Sequence, residues 1–226
     1  MFIFLDTETT STGEKDRLCQ LAYKTEDGDI VNELFKPPLP IAIDAMCVHH
    51  ITNEMVENKP AFKDSNYHRK LVDLLGDDKN ILVAHNAKFD VDMLIKEGIN
   101  PKKVICSLKL ARHLDPEGKI PRYSLQYLRY FLGIQIEATA HDALGDILVL
   151  EKLFERLFFR MSKDIGPRAV EDKMMDISIK PVLLTRMYFG KHKGERFRDI
   201  PKDYLQWLSG TELDEDMRFT VGHYLN

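Results

Sequence analysis

The chain has 226 residues, 44% of them hydrophobic and 30% charged, which suits a large folded domain with or without an appendage and excludes a disordered chain. Its formal net charge of −4 excludes a globally basic nucleic-acid binder, though not a locally basic face. Three scattered cysteines, Cys19, Cys47 and Cys106, argue against a disulfide framework or a zinc knuckle.

Residues 1–5 are an apolar run too short for a helix and read as a buried strand. Residues 18–23 and 30–35 read as two more, around a turn at 26–29, and the prolines of 36–40 end the meander because proline cannot donate to a ladder. A short helix is predicted from Asn53, a capping residue, and another over 62–75. Residues 80–84 read as a central strand, and Asn86 as the N-cap of a helix running to about Gly98. A short strand at 104–106 precedes helices near Leu108, Leu125 and Ala143, the last strongly apolar on one face through Phe158. Strands followed by alternating strands and helices predict an α/β fold, a mixed sheet flanked by helices. The charged stretch 162–180 contains Gly166-Pro167 and little periodicity, and reads as a linker. The chain is therefore divided into 1–161, a linker over 162–185, and a small module over 186–226 with a hairpin at 190–194 and two short helices. No apolar run approaches the ~20 residues of a membrane helix, and residues 1–5 lack the basic start of a signal peptide, so a soluble cytoplasmic protein without membrane contact is expected.

Three groups of carboxylates stand out. Asp6 and Glu8 end the first strand, and alternation projects both from one face, where they repel unless a cation such as Mg²⁺ or Mn²⁺ sits between them. Two solvated charges in a turn would look the same. Asn86 and Asp90 are four apart, on one helical face, with Asp90 in a first turn that tolerates an anion. Asp92 lies about 200° around that helix and is expected in solvent. Asp146 opens the long apolar helix, where a carboxylate is costly unless paired or metal-bound, and His141 is expected on the loop before it, reaching over.

In order, Asp-x-Glu, Asn-x-x-x-Asp and His-x-x-x-x-Asp resemble the DEDDh exonucleases, DnaQ-like members of the ribonuclease H-like superfamily. The resemblance covers residues 1 to about 160. Cys47-Val-His-His-Ile-Thr52 is similar to that family's Val-His-Gly-Ile-Thr segment, with His50 in place of glycine, and Ser11 stands where glycine is frequent. The C-terminal segments 189–194, 203–208 and 223–225 look like the exonuclease X branch of the family. The resemblance implies a 3′–5′ exonuclease releasing nucleoside 5′-monophosphates from nucleic acid, DNA 3′ ends before RNA. It also implies two Mg²⁺ ions, with Mn²⁺ able to substitute, on Asp6, Glu8, Asp90 and Asp146. His141 would be the general base, and Thr7, Thr9, His49, Asn86 and Phe89 the contacts to the terminal nucleotide. An RNA-trimming enzyme, a polymerase proofreading subunit and a non-catalytic nucleic-acid binder are the alternatives.

In the tail, residues 186–202 carry six basic side chains against two acidic ones, interleaved with Tyr188, Phe189 and Phe197. Lys191 and Lys193 are the expected phosphate contacts, while the aromatics, with Tyr204 and Trp207, are expected to form the module's own core.

Overall fold

The computed structural model describes residues 1–136 and 143–226. A five-stranded sheet has the order β3-β2-β1-β4-β5, built from β1 (Phe2–Thr9), β2 (Leu18–Thr25), β3 (Ile30–Leu34), β4 (Ile81–Ala84) and β5 (Val104–Cys106). The first three strands form the expected antiparallel meander, while β4 and β5 add in parallel on the other side of β1. The central strand does not stop at Leu5. It continues through Asp6 and Glu8, opposite Ala22 and Gln20 of β2, to a bulge at Glu8/Thr9.

Alternation along β1 feeds two cores. Ile3 and Leu5 pack with Leu71 and Leu75 of α3 (Asn66–Gly76) and Met93 and Leu94 of α4 (Lys88–Lys96). Phe2 and Phe4 face the other way, onto α7 (Ala143–Ile165), their ring centroids 4.7 and 5.5 Å from that of Phe154. α5 (Ser107–His113) and α6 (Leu125–Phe131) complete this second core through Leu110, Ala111 and Leu128.

Several local expectations are corrected. α1 (Ile43–His49) buries no residue fully, so it shows no apolar stripe in the sequence. α2 (Asn53–Val56) is capped by Thr52, whose hydroxyl accepts the Met55 N–H, while the Asn53 side chain accepts the Ile41 N–H at 2.8 Å. The expected 62–75 helix breaks after a 3₁₀ turn at Phe62–Asp64, because Ser65 caps α3 by accepting the His68 N–H at 3.2 Å. Asn86 is no N-cap. Its φ of 62° makes it a left-handed turn residue, a conformation asparagine tolerates, and α4 starts two residues later.

The linker expected over 162–185 is also corrected. α7 runs on to Ile165, and α8 (Pro167–Ser178) buries Val170, Met174 and Ile177 in the same core as Leu150 and Leu153. Those positions share one helical face, and the charges that obscured the pattern sit on the others. In the tail, an Arg186–Arg196 bridge closes the 190–194 loop, and α9 (Lys202–Ser209) and α10 (Glu215–Leu225) follow. They enclose a separate apolar cluster with Met187, Phe197, Leu205, Leu208 and Met217, against which Phe189 and Tyr204 pack. Trp207 departs from expectation at 62% exposed. The tail docks through Arg112 of α5, which forms an ion pair with buried Asp216, and through Arg186 Nε, which donates to the Gly118 carbonyl at 3.0 Å. Among the described residues no helix is long and apolar enough to cross a membrane.

Met174→Ala should lower the unfolding free energy by about 2–5 kcal/mol in a urea titration, as for a fully buried side chain. A change near zero would return the segment to the status of a linker.

Candidate active site

The pleat that sends Phe2 and Phe4 toward α7 sends Asp6 and Glu8 the same way, farther along β1. Asp146 stands in the first turn of α7, and its Oδ1 accepts from the Gln126 amide of α6. Asp90, in the first turn of α4, is buried, and its Oδ1 accepts both the Thr7 N–H at 3.0 Å and the Thr7 hydroxyl at 2.8 Å. The four carboxylates come from three separate elements.

Their electrostatics report the convergence. Asp6 keeps some solvent contact, yet burial, followed by repulsion from Asp90, Glu8 and Asp146, holds its carboxyl well above the usual carboxylate range. Burial and Asp146 push Glu8 up to about 7. Asp90 is raised by burial and by Glu8, against the two hydrogen bonds from Thr7 that favour its anion. At neutral pH such a group of acids tends to retain protons. A divalent cation, which takes hard oxygen ligands, would relieve the same repulsion, so the donor set fits Mg²⁺ or Mn²⁺ chemically. Among the described residues no three His, Cys, Asp or Glu side chains stand close enough together to hold a metal ion as they are.

The remaining expected residues fall in different places. Thr7 directs its hydroxyl to Asp90, which makes it a positioning residue. Thr9 donates its hydroxyl to the Ser11 carbonyl at 2.8 Å. The Thr9 carbonyl lies 3.2 Å from Nε2 of His49, whose Nδ1 accepts the Ile51 N–H at 3.0 Å. The proton therefore sits on Nε2, burial lowers the pKa of the ring, and His49 clasps the end of α1 to the end of β1. His50, next in line, adopts φ 61°, which accounts for the glycine that the family resemblance leads one to expect there. Asn86 is exposed beside a cavity of about 870 Å³, whereas Phe89 faces a smaller depression with Thr12, Gly13 and Glu14, so these two are not brought together. Asp92 pairs with Lys88 at 2.6 Å in solvent, as expected. His141 lies outside the described residues.

Two positioning residues escaped the sequence reading. Gln126 holds Asp146, and an amide in a short helix carries no distinguishing pattern. His85 lies 2.7 Å from the Tyr123 carbonyl through Nε2 and 2.9 Å from the Ser107 hydroxyl through Nδ1, while burial lowers its pKa to about 4. It joins β4 to the segment before α6 as a neutral ring, and its place next to Asn86 was the available signal.

With this geometry the comparisons with known proteins agree. Residues 3–154 match the family model described as Exonuclease, and the chain belongs to that family, with a DnaQ-like exonuclease domain. Residues 177–215 match a second model, described as Putative quorum-sensing-regulated virulence factor. The chain is 33% identical over 236 aligned positions to Exodeoxyribonuclease 10 of Escherichia coli K12, covering 100% of this chain and 99% of that one. It is 32% identical over 178 positions to DNA polymerase III subunit epsilon of Treponema pallidum, covering 73% and 80%. Among solved structures it is similar to exonuclease X in complex with 5′ overhanging duplex DNA, with a TM-score of 0.59 and 29% identity over 79% of this chain and 99% of that one. E. coli exonuclease I in complex with a dA16 oligonucleotide shares the fold at a TM-score of 0.55 and 22% identity, over 72% and 43%.

Asp6→Asn should stabilise the metal-free protein, and the advantage should grow between pH 5 and pH 8. The folded state holds protons that the unfolded chain has released across this interval, so the wild type loses stability as pH rises through it. Thermal melts in EDTA across that range check this, and a pH-independent difference would contradict the mutual repulsion.

Proposed function

We propose that the chain is a divalent-metal-dependent 3′–5′ exodeoxyribonuclease that releases nucleoside 5′-monophosphates from DNA 3′ ends, in repair or end processing in the cytoplasm. The observation that carries this reading is the convergence of Asp6, Glu8, Asp90 and Asp146 on one patch, seen in their mutual repulsion. DNA is favoured because the relative matched over its whole length is named an exodeoxyribonuclease and the similar exonuclease X was solved on DNA. The polymerase subunit matches over 73% of this chain, which favours a free-standing nuclease over a proofreading subunit.

Asp6, Glu8 and Asp146 would hold one Mg²⁺, and Asp6, assisted by Asp90, a second, with Mn²⁺ able to replace either. When bound, the ions would supply a nucleophile at neutral pH and neutralise charge at the phosphate and the leaving 3′ oxygen. The chain's own contribution is orientation and proton transfer. Thr7 fixes Asp90, Gln126 holds Asp146, and His141 takes the proton from the attacking water as general base. His49 keeps Thr9 and the end of β1 in register with α1, where the terminal nucleotide would lie. Residues 1–178 form the nuclease unit and 186–226 an accessory module. α8 closes the nuclease unit as part of its core.

Incubation with 5′-labelled DNA and RNA oligonucleotides should give, with Mg²⁺ and not with EDTA, a ladder that shortens from the 3′ end, on DNA in preference to RNA. Asp6→Asn should fall below about a tenth of the wild-type rate at saturating Mg²⁺. Retention of more than that would remove Asp6 from the metal site.

His141→Ala should lose ~10²–10⁴ in rate without a comparable loss of metal affinity. The wild-type rate should rise with pH as the ring deprotonates. An unchanged acid limb in the variant's pH profile would assign the base to another group.

A further inference from the structure

Two depressions adjoin one another where α5 and the segment before α6 face the tail. One, about 870 Å³, opens along Asn86, Ala87 and Lys88, on the turn that leads to Asp90, and reaches Leu125, next to the Gln126 that holds Asp146. The other, about 850 Å³, lies between residues 118–123 and 183–188 and ends on Lys193 and Gly194 of the tail. Arg112, Arg122, Tyr123 and Tyr188 line both, so the two form one trough from the Asn86 turn to the tail.

The trough is positive although the chain is not. Asp115 is its acid at the tail end, and that carboxylate already accepts the N–H groups of Lys119 and Ile120 at 2.9 and 2.7 Å and the Tyr123 hydroxyl at 2.7 Å. At the other end, Asp214 accepts from the Tyr188 hydroxyl, Glu215 pairs with Lys109 at 2.8 Å, and Asp216 pairs with Arg112. Arg186 donates to the carbonyls of Gly118 and Gly194 at 3.0 and 2.8 Å and thus keeps its full charge. Arg122 and Lys193 are exposed and pair with no carboxylate among the described residues. Lys191, two residues from Lys193 and equally exposed, is not on the lining.

We propose that this trough carries the backbone of a single strand on the 5′ side of the terminal nucleotide, with Arg122, Arg186 and Lys193 as phosphate contacts. The proposal rests on the nuclease reading above and gives the tail a part in it, since one wall of the track belongs to each unit. Each depression has the volume of a small-molecule site, which admits a few nucleotides in single file and not a paired duplex. Lys193 acts through its position on the wall, and the role expected of Lys191 passes to Arg122.

The test is fluorescence anisotropy of a labelled single-stranded oligodeoxynucleotide across a salt series, in EDTA so that binding is read without turnover. Hydrolysis with Mg²⁺ is assayed separately, so a chain that binds here but does not cleave would overturn the nuclease reading and leave the track standing. The double variant Arg122→Glu with Lys193→Glu should weaken binding of a long strand about tenfold or more, reduce the salt slope by ~0.7 per lost contact, and leave a trinucleotide nearly unaffected. Lys191→Glu should leave the slope at the wild-type value. Thermal melts establish that the variants, all at exposed positions, are folded. Equal effects of Lys191→Glu and Lys193→Glu, or an unchanged slope in the double variant, would overturn the track. A loss as large for a hairpin-closed blunt duplex as for the single strand would overturn the single-strand assignment.

Discussion

The packing of Phe154 against Phe2 and Phe4 sets the geometry on which the site depends. From that contact to Asp146 is eight residues of helix, about 12 Å at the helical rise. From the same contact to the Asp6–Glu8 pair is four residues of strand, about 13 Å at the strand rise. The two lengths agree, so an aromatic cluster in the core delivers three carboxylates to one place. No contact between those carboxylates is needed to bring them there, and their mutual repulsion opposes it.

That repulsion is carried by the surrounding structure. Thr7 offsets part of it at Asp90 with two donated hydrogen bonds, and Gln126 gives Asp146 a neutral donor. The bulge at Glu8/Thr9 ends the regular ladder just beyond the last of the acids, a common device for re-aiming side chains at a sheet's rim. His49 then holds the bulged end against α1 with an uncharged ring, adding no charge to a crowded patch.

The sheet and the acids were legible because they follow the short periods of strands and of one strongly apolar helix. Alternation along β1 by itself places Asp6 with Glu8, and the apolar face of α7 marks Asp146 as a carboxylate in need of a partner. What was not legible has particular causes. α8 keeps its three core residues among charges, so Val170, Met174 and Ile177 were overlooked, and α1 has no buried face to show. Asn86 was read by its capping preference when its tolerance of left-handed backbone governed. Trp207 was assigned to a core that Phe197, Leu205 and Met217 fill without it. Gln126 acts through a contact between two helices, which no local pattern encodes.

The double acceptance by Asp90 reaches beyond the acid itself. The parallel ladder between β1 and β4 pairs Phe4 with Val83, and β4 ends at Ala84, so the Thr7 N–H lies past the point where a neighbouring strand could satisfy it. Asp90 fills the vacancy, its carboxylate taking the place of a backbone carbonyl at 3.0 Å. The acid is in effect the next rung of the sheet. Its position is therefore inherited from strand pairing, so a slip of β4 by a single residue would move the rung as well as the ladder, and the reach of the cluster is written into the length of the strand that runs parallel to β1.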